Sequence, residues 1–351
     1  MKILVVQSGG PSPGSNPVLA GALAACESSC ELYGAVGGWL GLVRGQFVRL
    51  NPSSTYLLAR SPSPYLVTFR DKLQEEKLLA SIETLPFDGL MVIGGEGSMA
   101  FLRSLEGKLK VPAVGVGKTI DNDLGPFHYD LGYPSSAHQV AEFALRMEYD
   151  AFSYIGYVEV DAMQVMGRDA GWLTLASAMA GEHRPDILLL PEQTYDLEEL
   201  MEEVRRAISR KGKALIAVAE GVAIEGEKLK KATDYQRANS AIALRDILQA
   251  NGLRTRFEWP GVLYRCVEPN EKDREQGMKL GEVAVRRLMN GEEGAVGPGA
   301  DGETQIVPLS DAKKRYVPSS FVDGFSASSD ALSYLKDVVG PVAKDWLKPL
   351  A

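Results

Sequence analysis

Residues 3–16 read ILVVQSGGPSPGSN. The aliphatic run Ile3–Val6 fits a strand buried on both faces, the pattern of a parallel sheet. Ser8-Gly9-Gly10 follows at once, and a helix-like stretch runs from Asn16 to Ser28. Glycines between a strand end and a helix start let the backbone approach a ligand closely. The first N–H groups of the helix are unpaired and carry positive partial charge, so the turn suits a phosphate. It is neither a Walker loop, lacking Gly-Lys-Ser/Thr, nor a GxGxxG fingerprint.

The same grammar repeats along the chain. Apolar runs at Leu90–Ile93, Ala113–Val116, Ile155–Val160, Ile187–Leu190 and Ala214–Ala219 read as further buried strands. Helix-like stretches lie between them at Arg70–Thr84, Ala137–Met147, Leu197–Arg210 and Asp234–Ala250. Another helix is expected over Glu271–Met289, then a glycine-rich turn over Gly291–Gly302 and a last helix or two within Ser328–Leu350. Ser61-Pro62-Ser63-Pro64 reads as a local rigid turn. Strand alternating with helix predicts right-handed crossovers and a doubly wound α/β sheet, with ligands beyond the carboxyl ends of the strands.

Two more glycine loops stand at such ends. Gly94-Gly95-Glu96-Gly97-Ser98 places a carboxylate on a glycine turn, where Mg²⁺ shared with phosphates finds an oxygen ligand. Lys118-Thr119-Ile120-Asp121-Asn122-Asp123 follows the Ala113–Val116 strand and carries two carboxylates two residues apart. One can accept a hydroxyl proton while the other organises metal-bound water. Lys118 and Thr119 can set positive charge and a donor against transferring phosphoryl oxygens.

The whole composition is compatible with this. The chain has 351 residues, enough for two lobes at roughly 150 residues each. Its 36 glycines exceed the usual proportion of about 7%. A net charge of −8 argues against a nucleic-acid-binding surface, yet leaves room for a compact basic pocket. No run reaches the roughly 20 apolar residues needed to span a bilayer, and the N-terminus has no signal-peptide pattern. The three cysteines, Cys26, Cys30 and Cys266, read as packing thiols of a reduced, cytoplasmic protein, with Cys26 and Cys30 on one helix face.

Taken in order, GGPSPGSN, GGEGS, KTIDND, VMGRDAGW (165–172), LLLPE (188–192), AEG (219–221) and Arg256 followed by PGVLYRCVEPN (260–270) resemble the phosphofructokinase A family. The resemblance implies two Rossmann-like lobes with mainly parallel sheets and an active site in the cleft between them. It implies a phosphoryl-donor lobe of residues 1–126 plus about 265–305. The sugar-phosphate lobe would comprise 127–264 plus about 306–351. It implies phosphoryl transfer to the 1-hydroxyl of fructose 6-phosphate, with Mg²⁺ and a homo-oligomer that is a dimer or tetramer. Asp121 is then the general base, Asp123 its supporting carboxylate, and Thr119 a contact of the transferring group. Gly9, Gly10, Gly95, Gly97 and Ser98 lie on the donor phosphates, Glu96 at the metal, and Arg60 on the donor side. Met166, Gly167 and Arg168 meet sugar phosphate and transition-state oxygens, Glu220 accepts sugar hydroxyls, and Arg256 and Arg265 grip the 6-phosphate.

Departures from the family pattern bear on the substrates. Gly97 stands where members similar to the ATP users have Gly and pyrophosphate users have Asp, whereas Lys118 is common among pyrophosphate users. Phe101 replaces a small Gly beside the nucleotide, and Val36 stands where an aromatic can stack on adenine. ATP is the expected donor and pyrophosphate the alternative. Val262 takes the place of a sugar-phosphate-contacting His or Tyr, and Glu159 that of a basic residue. Another sugar phosphate such as sedoheptulose 7-phosphate therefore stays open, as does a non-catalytic sensor or regulatory subunit, against which Asp121, Asp123 and Arg168 count.

Overall fold

The computed structural model describes residues 1–26, 30–51, 55–62, 64–68, 75–224 and 239–342. Ser63 and the outer parts of three expected helices, residues 27–28, 70–74 and 234–238, lie outside these, as does the tail from 343. The chain divides into two compact units, one of residues 1–135 with 265–315 and one of 136–264 with 316–351.

The first unit is built on a seven-stranded sheet. Its strands include β1 (Lys2–Gln7), β2 (Glu31–Ala35), β3 (Phe47–Arg49), β4 (Gly89–Gly94) and β5 (Ala113–Gly117). Across the sheet the order is Thr304–Val307, Gly294–Pro298, β5, β4, β1, β2, β3. β5, β4, β1 and β2 run parallel, with Val5 beside Met91 and Met91 beside Val114. Ile3–Val6 and Leu90–Ile93 are fully buried, as a strand covered on both faces requires. Chain order reverses direction between β1 and β4, the switch point at which open α/β sheets bind ligands.

One face is covered by the helices Ser15–Cys26 and Glu271–Met289. They pack backbone to backbone. A Cβ on Gly21 would stand 2.0 Å from the Met278 carbonyl, and one on Gly281 would stand 2.1 Å from that of Val18. Part of the glycine excess therefore serves helix packing rather than a ligand. Gly291–Gly302, expected as a turn, contains the fully buried strand Gly294–Pro298, because Gly297 leaves room for the Phe127 ring against the sheet.

Cys26 and Cys30 correct the expectation of packing thiols: they are joined in a disulfide. The Cys30 N–H donates to the Cys26 carbonyl at 3.3 Å, which brings the two side chains together. The Cα atoms are 5.0 Å apart, within disulfide reach.

The second unit carries a parallel four-stranded sheet ordered Thr255–Glu258, Val160–Val165, Ala214–Ala219, Ile187–Leu189. The strand expected over Ile155–Val160 starts only at Val160, while Tyr154, Ile155 and Tyr157 are exposed in a turn. Its sequence, VDAMQV, hides a buried strand behind two polar residues that the fold satisfies. Asp161 pairs with Arg256, and the Gln164 side-chain oxygen accepts from the Ser240 hydroxyl at 2.9 Å. The helices Leu197–Lys211 and Asn239–Ala250 pack on this sheet through Leu200, Val204, Leu244 and Leu248. No described helix is long and apolar enough to cross a membrane.

Candidate functional site

Because β5, β4 and β1 are parallel neighbours, the loops that follow them emerge side by side at one sheet edge. Direct contacts join all three. The Lys118 ammonium, 3% exposed, donates to the carbonyls of Gly10 at 2.8 Å and Ser8 at 3.3 Å. The Ser98 hydroxyl donates to that of Ser8 at 3.0 Å. A Cβ on Gly95 would lie 3.1 Å from Thr119 Cβ, and the Lys118 N–H donates to the Gly94 carbonyl. Gly9 holds φ +82°, a conformation that glycine adopts freely.

Glu96 opens the helix Glu96–Ser104, and Gly97 is exposed in its first turn with nothing within 4 Å of a Cβ built on it. The Phe101 ring does not fill that space. It packs with the core beneath the sheet, edge-on to Trp39 with ring centroids 5.2 Å apart. Arg60 is exposed, paired with Glu268 at 3.1 Å and stacked over Tyr56.

The Asp121–Asp123 loop is shaped from within. The Asp121 N–H donates to Thr119 Oγ1 at 3.1 Å, and Asn122 is buried at φ +56°. Burial, with the Asp130 and Glu96 carboxylates nearby, pushes the Asp123 carboxyl up to about 6 despite Lys314. Asp130 is wholly buried, and desolvation pushes it up to about 7 although Arg315 opposes. Neither Asp130 nor Arg315 stood out in the sequence, yet both touch this loop. Among the described residues no three His, Cys, Asp or Glu side chains converge as a metal cage. Mg²⁺ held partly by substrate phosphates needs only one or two carboxylates. Glu96, close enough to Asp123 to raise its proton affinity, meets that smaller demand.

In the second unit Met166, Gly167 and Arg168 follow the strand Val160–Val165, and Glu220 follows its parallel neighbour Ala214–Ala219. Glu220 Oε1 accepts the Arg168 N–H at 2.9 Å, with Arg168 exposed at φ +54°. A Cβ on Gly221 would stand 2.1 Å from the Arg168 carbonyl, so Ala-Glu-Gly needs its glycine to let the two loops touch. Glu192, which ends LLLPE, accepts the Gly171 and Val317 N–H groups at 2.9 and 3.0 Å.

Arg256 is engaged by the carboxylates of Asp150 and Asp161 and lies over the Tyr154 ring. Desolvation works against its charge, but those two partners outweigh it and hold its proton more firmly than usual. Glu159 is paired with Arg254 at 3.2 Å, and Val262 is 53% exposed. Arg265 is buried in the first unit.

The phosphofructokinase family model matches residues 2–288, and the chain belongs to that family. A sulfofructose kinase of Alkalicoccus urumqiensis is 28% identical, with 96% of each chain covered. An ATP-dependent 6-phosphofructokinase of Natranaerobius thermophilus is 30% identical over 93% of this chain and 94% of its own. Among solved structures, a pyrophosphate-dependent phosphofructokinase from Nitrosospira multiformis superposes with a TM-score of 0.85 at 23% identity, covering 99% of this chain and 94% of its own. The fold class expected from the sequence, two-lobed α/β with largely parallel sheets, is thereby borne out.

Proposed function

We propose that this phosphofructokinase-type enzyme transfers a phosphoryl group from ATP to the 1-hydroxyl of fructose 6-phosphate, giving fructose 1,6-bisphosphate. The observation that carries it is the joining of three strand-end loops through Lys118, Ser98 and Gly95, with Asp121 and Asp123 at the end of the third. Gly9, Gly10, Gly95, Gly97 and Ser98 offer main-chain and hydroxyl donors to the donor phosphates. Lys118 acts through the loop it holds, since its ammonium is spent on the Ser8 and Gly10 carbonyls. Glu96 would hold Mg²⁺, which neutralises phosphate charge when bound.

Asp121 takes the hydroxyl proton as the oxygen attacks phosphorus, and Asp123 supports it with a second carboxylate. Arg168 supplies a guanidinium to the transition-state oxygens. Met166, Gly167, Arg265 and Arg256 bind the acceptor. Glu220 shapes the loop of Arg168 through Oε1 and keeps acceptor capacity for a sugar hydroxyl. ATP is preferred to pyrophosphate because the space beside Gly97 is open and Phe101 is turned into the core. A cytoplasmic homo-oligomer goes with this reading.

One observation favours a second acceptor. Arg256 faces two carboxylates, a surplus of negative charge that opposes a dianion more than a monoanion, and Val262 offers no charge. Such a pocket suits a head group of one negative charge, such as the sulfonate of sulfofructose, better than a phosphate carrying about −1.5 to −2. The test is an assay of ATP and pyrophosphate against fructose 6-phosphate, sedoheptulose 7-phosphate and sulfofructose, run with wild type and Asp121→Asn. Turnover with ATP and fructose 6-phosphate, lost by orders of magnitude in the variant, is the expected result. Wild-type turnover in Asp121→Asn excludes the proposed base.

A further inference from the structure

We propose that Arg315 is the positioning residue of the Asp121–Asp123 loop, clamping it from behind at the peptide between the two carboxylates. Its contacts converge there. The Arg315 N–H donates to the Asp123 carbonyl at 2.8 Å, and Nε donates to the Asn122 carbonyl at 2.8 Å. Nη2 donates to the Asn122 side-chain oxygen, and Nη1 to the carbonyls of Phe127 and His128. The Asn122 side-chain oxygen also accepts the Asp130 N–H at 2.8 Å, while Asp130 Oδ2 accepts the Leu124 N–H at 2.9 Å. Asp130 Oδ2 stands 4.0 Å from Arg315 Nη2, so the same carboxyl that holds Leu124 also faces the guanidinium.

The loop needs such a device. Asn122 holds φ +56°, a left-handed conformation that residues other than glycine adopt at a cost, asparagine at less than most. A residue kept there must be fixed by its surroundings. Fixing Asn122 at both its carbonyl and its side chain sets the directions in which its neighbours Asp121 and Asp123 leave the backbone. Only a guanidinium can do this, because its planar fork supplies five donors at fixed angles. A lysine in its place offers a point charge and cannot reach these acceptors together. Arg315 contacts main chain and Asn122 rather than the reacting atoms, so it acts through the loop.

The inference rests on the proposed role of Asp121, and the experiment separates the two. Arg315→Lys, Arg315→Ala and Asp121→Asn are assayed with ATP and fructose 6-phosphate, or with whichever donor and acceptor wild type turns over, and their melting is followed. A misplacement of about 1 Å can cost about a hundredfold in rate. Arg315→Lys is therefore expected to melt within a few degrees of wild type, keep both KM values within about threefold, and lose at least about thirtyfold in kcat. Arg315→Ala should lose more.

A folded Arg315→Lys with wild-type kcat overturns the clamp. So does a loss in which both KM values rise as kcat falls, or failure of both Arg315 variants to fold, which would make the role structural alone. If Asp121→Asn itself keeps wild-type turnover, the functional reading fails. An inactive Asp121→Asn beside an unaffected Arg315→Lys removes the clamp and leaves that reading standing.

Discussion

The Lys118 ammonium donates to the Gly10 carbonyl at 2.8 Å from a site 3% exposed, tying the loop after β5 to the loop after β1. A hydrogen bond from a charged group contributes about 1.5–3 kcal/mol, and leaving its acceptor buried and unpaired costs about 1–3 kcal/mol. Lys118→Met should therefore loosen Ser8–Gly10. The expected outcome is a donor KM raised about tenfold or more and an acceptor KM nearly unchanged, measured by varying each substrate in turn. Equal changes in both KM values would mean that Lys118 does not act through the donor loop.

Glu220 and Arg168 stand in a similar relation on the second unit. The carboxylate holds an N–H of a residue at φ +54°. Glu220→Gln retains an oxygen that can accept the same bond, whereas Glu220→Ala retains none. The amide variant should lose less than about tenfold in kcat/KM for the acceptor, and the alanine variant about a hundredfold, the scale of a misplaced catalytic group. Equal losses in the two variants would mean that the charge of Glu220, not its acceptor oxygen, matters.

Asp123 and Asp130 make the loop pH-sensitive. Asp123 is raised to about 6, chiefly by burial, with Asp130 and Glu96 adding to the rise and Lys314 opposing it. Asp130 is raised to about 7, again chiefly by burial, with Arg315 opposing and Asp121 adding. If the reaction needs Asp123 ionised, the pH profile of kcat falls below about pH 6.

Stability has the opposite sense. Both carboxyls hold protons in the folded state that the unfolded chain, with a value of 3.8, releases. Their contribution is full below that value and is lost as pH rises through about 6 and about 7. Asp130→Asn, which cannot ionise, should gain melting temperature over wild type between pH 5 and 8. An advantage that does not grow with pH excludes an Asp130 that ionises in this range.

How much of this was legible in the sequence follows from what each residue answers to. The strand-end glycine loops announced themselves, because the aliphatic runs before them need no partner to be recognised as buried. Glu271–Met289 was legible as a helix, and the structure adds Asn270 as its cap. The strand Val160–Val165 was misread because Asp161 and Gln164 look exposed until Arg256 and Ser240 are brought to them from about 75 to 95 residues away. The Gly294–Pro298 strand was misread because three of its five residues, Gly294, Gly297 and Pro298, are turn-forming types, and burial overrode that local preference. Arg315 lies 193 residues beyond Asn122 in a segment of ordinary charge, so no local pattern could tie the two together.

Donor choice reduces to one glycine. A Cβ at Gly97 meets nothing within 4 Å, and φ at this position is not in the left-handed region, so Gly97→Asp should fold without strain. The new carboxylate would point into the open space that the ATP reading assigns to a nucleotide's α-phosphate. Close like charges raise the energy of binding by about 1 kcal/mol in water and several times more where water is partly excluded. ATP turnover should then fall by a hundredfold or more in kcat/KM, about 2.7 kcal/mol at roughly 1.4 kcal/mol per decade. Turnover with pyrophosphate, which has no α-phosphate to meet, should fall much less or rise. Equal losses with both donors would place no nucleotide beside Gly97, and the preference for ATP would have to be given up.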